Sequence, residues 1–465
     1  MSAALLGTQR RRVDPAGLPA AVRPLVSGAP EEALLTAAAV LANYRRAGHV
    51  PVLPHGRLPA AEPDVRPLVP PAARRRMPRV PVDLLGEWLQ AVHVHGMRVP
   101  PEHLPVLAEA ARTRPPLRAP LAAVAGPAGS WLGEHNPAWS FLVIVTDTGA
   151  ADGEKVWEYG SPLQRREWLG RTLAADPDAA RAALAATWAR ETAGERADFL
   201  AVLAGHLGPT DEQFLETALD DRAAQVRQRA AALLAQLPGS RLAARMRERA
   251  GRLVRGDGQR LAVTLPDPTD PALLRDAGGG ERPADLLSAI VAATPLAHWA
   301  QHGQPARLLG LPVTGVAPEV LHLGWAVAAE RQRDAEWGVA LVAAVDANIL
   351  GPVATIVCRL PAQLHRPAVG VLAGKLTPQA MASAVSQLLP PWSPELGTAV
   401  LDWLAGHPGN RGLGGAARTA GRSVPRGCLR HLIATAPLPV GAAPWWRELA
   451  ATLTFRREMH EELHR

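Results

Sequence analysis

The chain has 465 residues, enough for about two to four domain-sized units with ample apolar cores. Its 50 Lys and Arg against 43 Asp and Glu give a formal charge of +7, but lysine occurs only at Lys155 and Lys375. The basic pI therefore reflects the arginine content and gives little indication of a nucleic-acid partner. The chain has two cysteines, Cys358 and Cys428, which is too few for a disulfide framework and favours a reducing cytoplasm.

The N-terminal third predicts short helices separated by proline-rich connections. The start, MSAALLGTQRRRVDP, lacks the apolar core of a signal peptide, so we expect a cytoplasmic protein. Apolar residues at helical spacing predict a helix over Glu31–Ala47. Pro51–Pro81 holds too many prolines for a long helix. Leu84–His93 and Pro105–Arg112 then predict short antiparallel helices.

The segment Trp131–Val145 is the hardest to interpret. It begins with WLGEHNPAW, which is typical of a helix or turn, and ends in the apolar run Phe141–Val145. This run fits a strand and a buried helical turn equally well, so both alternatives stay open. We assign residues 1–155 to an N-terminal helical region.

The most regular passage is Glu212–Arg255, within a predicted central helical block of residues 156–258. Asp220 or Asp221 is placed to cap its main helix. The apolar residues of that helix recur at i, i+4, i+7 and i+11 and share one narrow face: Val226, Ala230, Leu233 and Leu237. The sequence Leu-Pro-Gly-Ser up to Ser240 then predicts a helix end and a new cap.

The next helix, predicted over Arg241–Arg255, is strongly polar along one side. Five arginines share this side: Arg241, Arg245, Arg249, Arg252 and Arg255. A helix of this polarity must lie at a surface. We therefore predict these residues, the arginine face, as a candidate interaction surface for a protein partner. The less favoured alternative is a nucleic acid bound through its phosphates.

The same passage resembles the second half of a HEAT-type repeat. The resemblance rests on Leu219-Asp220-Asp221 and Val226-Arg227, where members of that family use Asp and Arg to link neighbouring helix pairs. A weaker copy from Leu173 to Trp188 lies about 46 residues earlier, within the period of about 40–47 residues of such repeats. The alternative is an irregular helical domain with one amphipathic hairpin.

The remaining sequence predicts a linker and a C-terminal helical region. Residues 259–285 are rich in Pro, Asp and Gly, which is typical of a linker, and residues 286–465 are again helical. Apolar residues recur at helical spacing in Leu286–Ala293, Trp299–Leu309, Leu321–Arg333, Asp334–Leu350, Thr377–Leu389, Leu396–Ala405, Cys428–Thr435 and Trp445–His464. With few convincing strands, we predict an all-α fold, an irregular α-solenoid of HEAT-like repeats.

Motifs for catalysis, cofactors or membrane insertion are incomplete. His460-Glu-Glu-Leu-His464 matches the zinc-binding H-E-x-x-H pattern, but the usual third ligand has no counterpart after it. His298 and His302 have the same spacing without an acid. Gly370–Thr377 lacks the spacing of a phosphate loop and predicts a helix end and a cap. Gly338–Cys358 is apolar but is broken by polar residues and proline, so we predict no membrane span, metal, cofactor or catalytic residue.

Several pieces along almost the whole chain resemble an uncharacterised bacterial family, a domain of unknown function. They are Ala3–Thr8 with Arg10, Tyr44–Gly48, Trp131–Gly133 with Asn136, Pro137 and Trp139, Phe214–Pro238, and Gly324-Trp325 with Gln332–Asp334. Its members are often encoded beside a SWIM zinc-finger protein, a MoxR-type AAA+ ATPase and a von Willebrand A protein. The resemblance implies a non-enzymatic partner role in a chaperone-like or assembly system and supplies no catalytic residues.

Overall fold

The computed structural model describes residues 7–10, 13–47, 58–143, 156–160, 162–346 and 349–464. Helix makes up 70% of the structure and strand 2%, so the predicted all-α class is confirmed. By internal contacts the chain divides into two units, residues 1–62 and 63–465. The boundaries predicted after residues 155, 258 and 285 stay predictions.

Within its described residues, the smaller unit has one long helix. Helix α1 spans Pro30–Ala47, close to the predicted range, and follows short 3-10 turns at Pro15–Gly17 and Arg23–Leu25. The acidic residues of α1 lie in its first turn and its arginines in its last turn, an arrangement that complements the helix dipole.

The larger unit begins with short helices between prolines, as predicted. They are α2 (Pro71–Arg76), α3 (Val82–Val94), α4 (Leu104–Thr113) and α5 (Arg118–His135). A 3-10 helix, Pro137–Leu142, follows α5, so the first two residues of the Phe141–Val145 run are helical. The last two residues of that run lie outside the described residues.

The central helices follow the amphipathic pattern of the sequence. They are α6 (Pro162–Ala175), α7 (Pro177–Thr187), α8 (Ala193–Leu203), α9 (Glu212–Ala218), α10 (Ala224–Leu234) and α11 (Arg241–Leu253). The Ser240 hydroxyl accepts a hydrogen bond from the Ala243 amide at 3.1 Å, which confirms its predicted cap. Helix α10 has no side-chain cap. Instead, Asp221 accepts from the Ala223 amide and holds the turn before the helix.

A small sheet ends α11 two residues earlier than predicted. It contains β1 (Val254–Gly256), β2 (Leu261–Val263) and β3 (Val313–Thr314). Strand β1 pairs antiparallel with β2, and β2 pairs parallel with β3. Val254, Leu261 and Val263 bury their side chains, so extended backbone here covers the core better than a further helical turn. The predicted linker holds β2 and the helix α12 (Pro271–Asp276).

The C-terminal helices begin mostly at prolines, whose missing N–H would have no helical partner in the first turn. They are α13 (Pro283–Ala293), α14 (Pro305–Leu309), α15 (Pro318–Gln332), α16 (Ala335–Ala343), α17 (Leu350–Arg359), α18 (Ala362–Lys375), α19 (Pro378–Gln387), α20 (Pro394–Ala405), α21 (Gly414–Ser423), α22 (Leu432–Thr435) and α23 (Pro444–Glu461). The predicted helix Trp299–Leu309 is a 3-10 helix, Leu296–His302, followed by α14. Helix α18 ends at Lys375 and Thr377 caps α19, which confirms the helix end and the cap predicted over Gly370–Thr377.

Helices of the larger unit pack mainly on the next helix but one. Helix α13 packs on α15, α15 on α17, α18 on α20, and α21 on α23. Such alternation is expected of stacked helix pairs, although the HEAT-like solenoid stays a prediction. Among the described residues, no helix combines the length and the apolarity needed to cross a membrane.

Two apolar cores result from this packing. The larger core extends from Trp157 to Leu453, and the smaller core is built from residues 69–142. Met459 of α23 and Leu463 just after it also belong to the smaller core, whereas Leu449 and Leu453 of α23 belong to the larger one. Helix α23 therefore joins both cores.

Candidate functional site

The arginine face is divided between partly buried and exposed residues. Leu242, Met246 and Ala250 bury the apolar side of α11. Arg245 lies beside that side and donates to both carboxylate oxygens of Asp276 at 2.8 Å. It also donates to Glu216 at 3.1 Å. Arg245 is therefore shared by two acids from other helices and adds little free charge to the surface.

Arg249 is held by the same buried acid. Its Nη1 donates to Asp276 at 2.6 Å, and the Asp276 side chain is only 2% exposed. Burial alone would raise the pKa of Asp276, but hydrogen bonds and positive charge from Arg245 and Arg249 hold it below its ordinary value. Arg275 adds a third guanidinium, which contacts Asp276, Glu216 and Asp220. Three arginines thus face three acids, and this network is electrically balanced.

The other three arginines of the face are exposed. Arg241 donates to Glu212 at 3.1 Å and to Gln213 at 2.8 Å. Arg252 lies 3.6 Å from Glu248, one helical turn away. Arg255 lies in β1 instead of α11, and no ion pair involves it within the described part of the chain. The arginine face is therefore not one continuous charged stripe.

Asp220 and Asp221 lie between α9 and α10 and contact both an earlier and a later helix of the chain. Asp221 contacts the buried Arg196 of α8 at 2.7 Å, while Asp220 contacts Arg275 of α12 at 2.5 Å. Arg227 donates to the backbone carbonyl of Asp221 at 2.8 Å. The two aspartates thus connect neighbouring helices, whereas Arg227 bonds within its own helix pair, and the HEAT-type repeat stays a prediction.

The H-E-x-x-H residues at the end of α23 each have a partner. His460 lies 2.8 Å from the Glu87 carboxylate of α3, and Glu461 contacts Arg430 at 3.1 Å. Glu462 contacts Arg76 at 2.7 Å, and Leu463 is buried. His298 and His302 have ring centroids 6.4 Å apart. No group of three or more His, Cys, Asp or Glu with metal-binding geometry occurs among the residues described.

An apolar cleft opens between α6, α7 and α9. Its volume is about 410 Å³, and its walls include Leu173, Leu184 and Phe214. Arg181 and Asp211 form an ion pair of 2.5 Å at its rim. Apolar walls with one charged pair suit the side chains of a protein segment better than a charged polymer.

Comparison with known proteins gives a family and little more. A model described as a family of unknown function, DUF5691, matches residues 1–463. The chain belongs to the DUF5691 family. This membership confirms the resemblance to a domain of unknown function, whereas the neighbouring genes stay an expectation. No curated protein and no solved structure matches this DUF5691 chain.

Sequence reasoning missed the acids that neutralise the arginine face. Asp276 and Arg275 lie in the segment predicted as a linker, which follows α11 in the chain. Glu216 lies in α9, which precedes both α10 and α11. Only the packing of α9 and α12 beside α11 brings them within reach of Arg245. The apolar cleft was missed for the same reason, since three separate helices line it.

Proposed function

We propose that this DUF5691 protein is a helical scaffold that binds a protein partner, and that the apolar cleft is its docking surface. The supporting observation is an open cleft of about 410 Å³ whose walls are mostly leucine, alanine and phenylalanine, with a few polar side chains beside them. A soluble partner gains free energy by placing apolar side chains there, at about 25 cal/mol per Å² of apolar surface removed from water.

The charges around the cleft suggest the kind of segment that fits it. Arg181 pairs with the buried Asp211, which lines the cleft, and with the exposed Asp178, which lies beside the cleft and outside its lining. The two carboxylates exceed the one guanidinium group by one negative charge. The proposed occupant is a short amphipathic helix of the partner, with two or three apolar side chains and a flanking Lys or Arg. The MoxR-type AAA+ ATPase that the resemblance implies is the first partner to test.

Nucleic-acid binding through the arginine face receives less support. Arg245 and Arg249 are held by Asp276 and Glu216, which leaves few free guanidinium groups to release counterions from a phosphate backbone. A binding constant for duplex DNA that falls steeply with salt concentration would revive this alternative.

A pair of adjacent alanines on α7 provides a matched test. Ala185 is exposed and lines the cleft, whereas Ala186 is exposed and does not. We expect Ala185→Arg to remove a stoichiometric partner that co-purifies from the native host, and Ala186→Arg to retain it. Affinity purification with quantitative mass spectrometry measures both. Absence of any stoichiometric partner from the parent protein, or equal recovery with both variants, would contradict the proposal.

A further inference from the structure

Another cavity lies far from the apolar cleft in sequence, where the last turns of α23 meet the segment before α22. Its volume is about 430 Å³. Its polar lining consists of Arg426, Arg430, Arg457, His460 and Glu461. We call it the C-terminal pocket. None of its arginines belongs to the arginine face or borders the apolar cleft.

The C-terminal pocket has more positive than negative charge. Glu461 contacts Arg430 at 3.1 Å and lies 3.9 Å from Arg457, so one carboxylate serves two guanidinium groups. Arg426 donates instead to Nε2 of His464 at 2.7 Å. Helix α23 ends at Glu461, and its negative dipole end contributes about half an elementary charge. Three guanidinium groups exceed the carboxylate and the dipole together by more than one charge.

A neighbouring histidine also lies within the positive potential of the pocket arginines. His95 packs edge-on against His464 with ring centroids 4.4 Å apart. Its pKa is lowered mainly by burial and also by the positive charge of Arg426. The positive potential therefore reaches beyond the pocket lining to a ring on α3's C-terminal side.

The backbone beneath the pocket is held firmly in place. Arg456, next to Arg457, is 4% exposed and donates to the backbone carbonyls of Gly421 and Val424 at 2.8 Å each. It also pairs with Glu87 at 2.7 Å. The α23 residues of the pocket thus start from fixed positions, which reduces the entropy lost when a ligand binds.

We propose that the C-terminal pocket binds a phosphate group, which displaces Glu461 from Arg430 and Arg457. A phosphate monoester carries close to two negative charges above its second pKa of about 6, and planar guanidinium groups bind its oxygens in pairs. A dianion therefore replaces the single charge of Glu461 with a gain in Coulomb energy. The cavity leaves room for a small group attached to the phosphate, so inorganic phosphate and a small phosphate monoester share this chemistry.

Titration calorimetry at pH 8 and constant ionic strength tests the proposal with inorganic phosphate and with phosphoserine as probes. Arg430→Gln and Arg457→Gln each remove one charged hydrogen-bonding group, so binding should weaken about tenfold. Glu461→Gln removes the competing carboxylate and should tighten binding. Arg447→Gln alters an exposed arginine of the same helix outside the pocket and should leave binding unchanged.

The two probes and a third anion separate the outcomes. Tighter binding of phosphoserine than of phosphate would identify a monoester as the ligand, and the reverse would identify the free ion. Acetate should bind much more weakly than either, because it carries one charge. Equal binding of acetate, no saturable binding at millimolar phosphate, or equal loss with Arg447→Gln would overturn the proposal. Arg430 is exposed, so its variant should fold even if the Glu461 variant does not.

Discussion

At the scale of single residues, Glu87 connects distant parts of the described chain. Its carboxylate accepts hydrogen bonds from Arg456 at 2.7 and 2.9 Å and lies 2.8 Å from Nε2 of His460. Burial alone would raise the pKa of Glu87, but the hydrogen bonds and charges of His460 and Arg456 hold it below its ordinary value. The ionised carboxylate is therefore the form that the fold requires.

We expect Glu87→Gln to lower the free energy of unfolding by about 2 kcal/mol or more, because it leaves the buried Arg456 charge without a counterion. Urea unfolding at neutral pH followed by circular dichroism measures this loss. Glu448→Gln, an exposed acid on α23, serves as the control and should change little. Similar stabilities of the two variants would contradict the assigned role of Glu87.

The buried Asp276 predicts a dependence of stability on pH. Its folded pKa lies below the unfolded value of 3.8, so its contribution is fully present above that pH. The contribution is lost as the pH falls through the folded pKa. Asp276→Asn should therefore lower the free energy of unfolding by about 3 kcal/mol at neutral pH. The difference in the free energy of unfolding between this variant and the parent protein should become smaller below about pH 4.

Urea unfolding at a series of pH values tests this linkage. Asp285→Asn is the control, because Asp285 forms only an exposed ion pair with Arg282. That variant should stay close to the parent at every pH. If the difference in the free energy of unfolding between Asp276→Asn and the parent protein stays constant down to acid pH, Asp276 acts through packing alone.

At the scale of secondary-structure elements, the joint between α10 and α11 depends on Ser240. Its hydroxyl caps α11 and also donates to the Leu234 carbonyl of α10 at 3.1 Å. Ser240→Ala should reduce the free energy of unfolding by about 1–2 kcal/mol, since it removes the cap of α11 and one of the two hydrogen bonds to the Leu234 carbonyl. Ser383→Ala, at an exposed position of α19, should be nearly neutral in the same denaturation experiment.

Elements with strong local signals could be predicted, and elements determined by packing could not. Helices α1 and α23 follow from apolar periodicity, and the Ser240 cap follows from its Pro-Gly-Ser context. Only the end of helix α18 was predicted, because Pro367 lies inside the helix, and α21 was missed because its sequence begins with consecutive glycines. Strand β1 has only three residues, and its stability depends on pairing with β2 and, through it, β3.

The site residues show the same limit. The sequence identified the arginine face, but the structure pairs Arg245 with Asp276 across 31 positions of the chain. No periodicity within α11 contains that information. The C-terminal pocket likewise combines α23 with a segment whose helical content is short and irregular.

At the scale of the larger unit, α23 couples the two apolar cores. Met459 is fully buried in the smaller core, and Leu453 is fully buried in the larger one. Met459→Ala should cost about 2–5 kcal/mol and speed hydrogen exchange in α3. Leu453→Ala should cost a similar amount but speed exchange in α21, which packs on α23.

Hydrogen exchange with mass spectrometry resolves these two variants by peptide. The pair is well matched because both substitutions lie on one helix and remove a buried aliphatic side chain. If both variants accelerate exchange equally in α3 and α21, the two cores unfold as one unit, and the prediction that each substitution loosens only its own core is wrong.

The contact between Glu87 and Arg456 spans 369 positions of the sequence. A flexible chain of that length would lose on the order of 5 kcal/mol of entropy on closure, so this contact is favourable only after the intervening helices have folded. During synthesis the smaller core emerges from the ribosome first, without Met459 and Leu463. The nascent protein consequently exposes an apolar surface of the smaller core until α23 is translated, and chaperones that recognise such surfaces can bind it during that time.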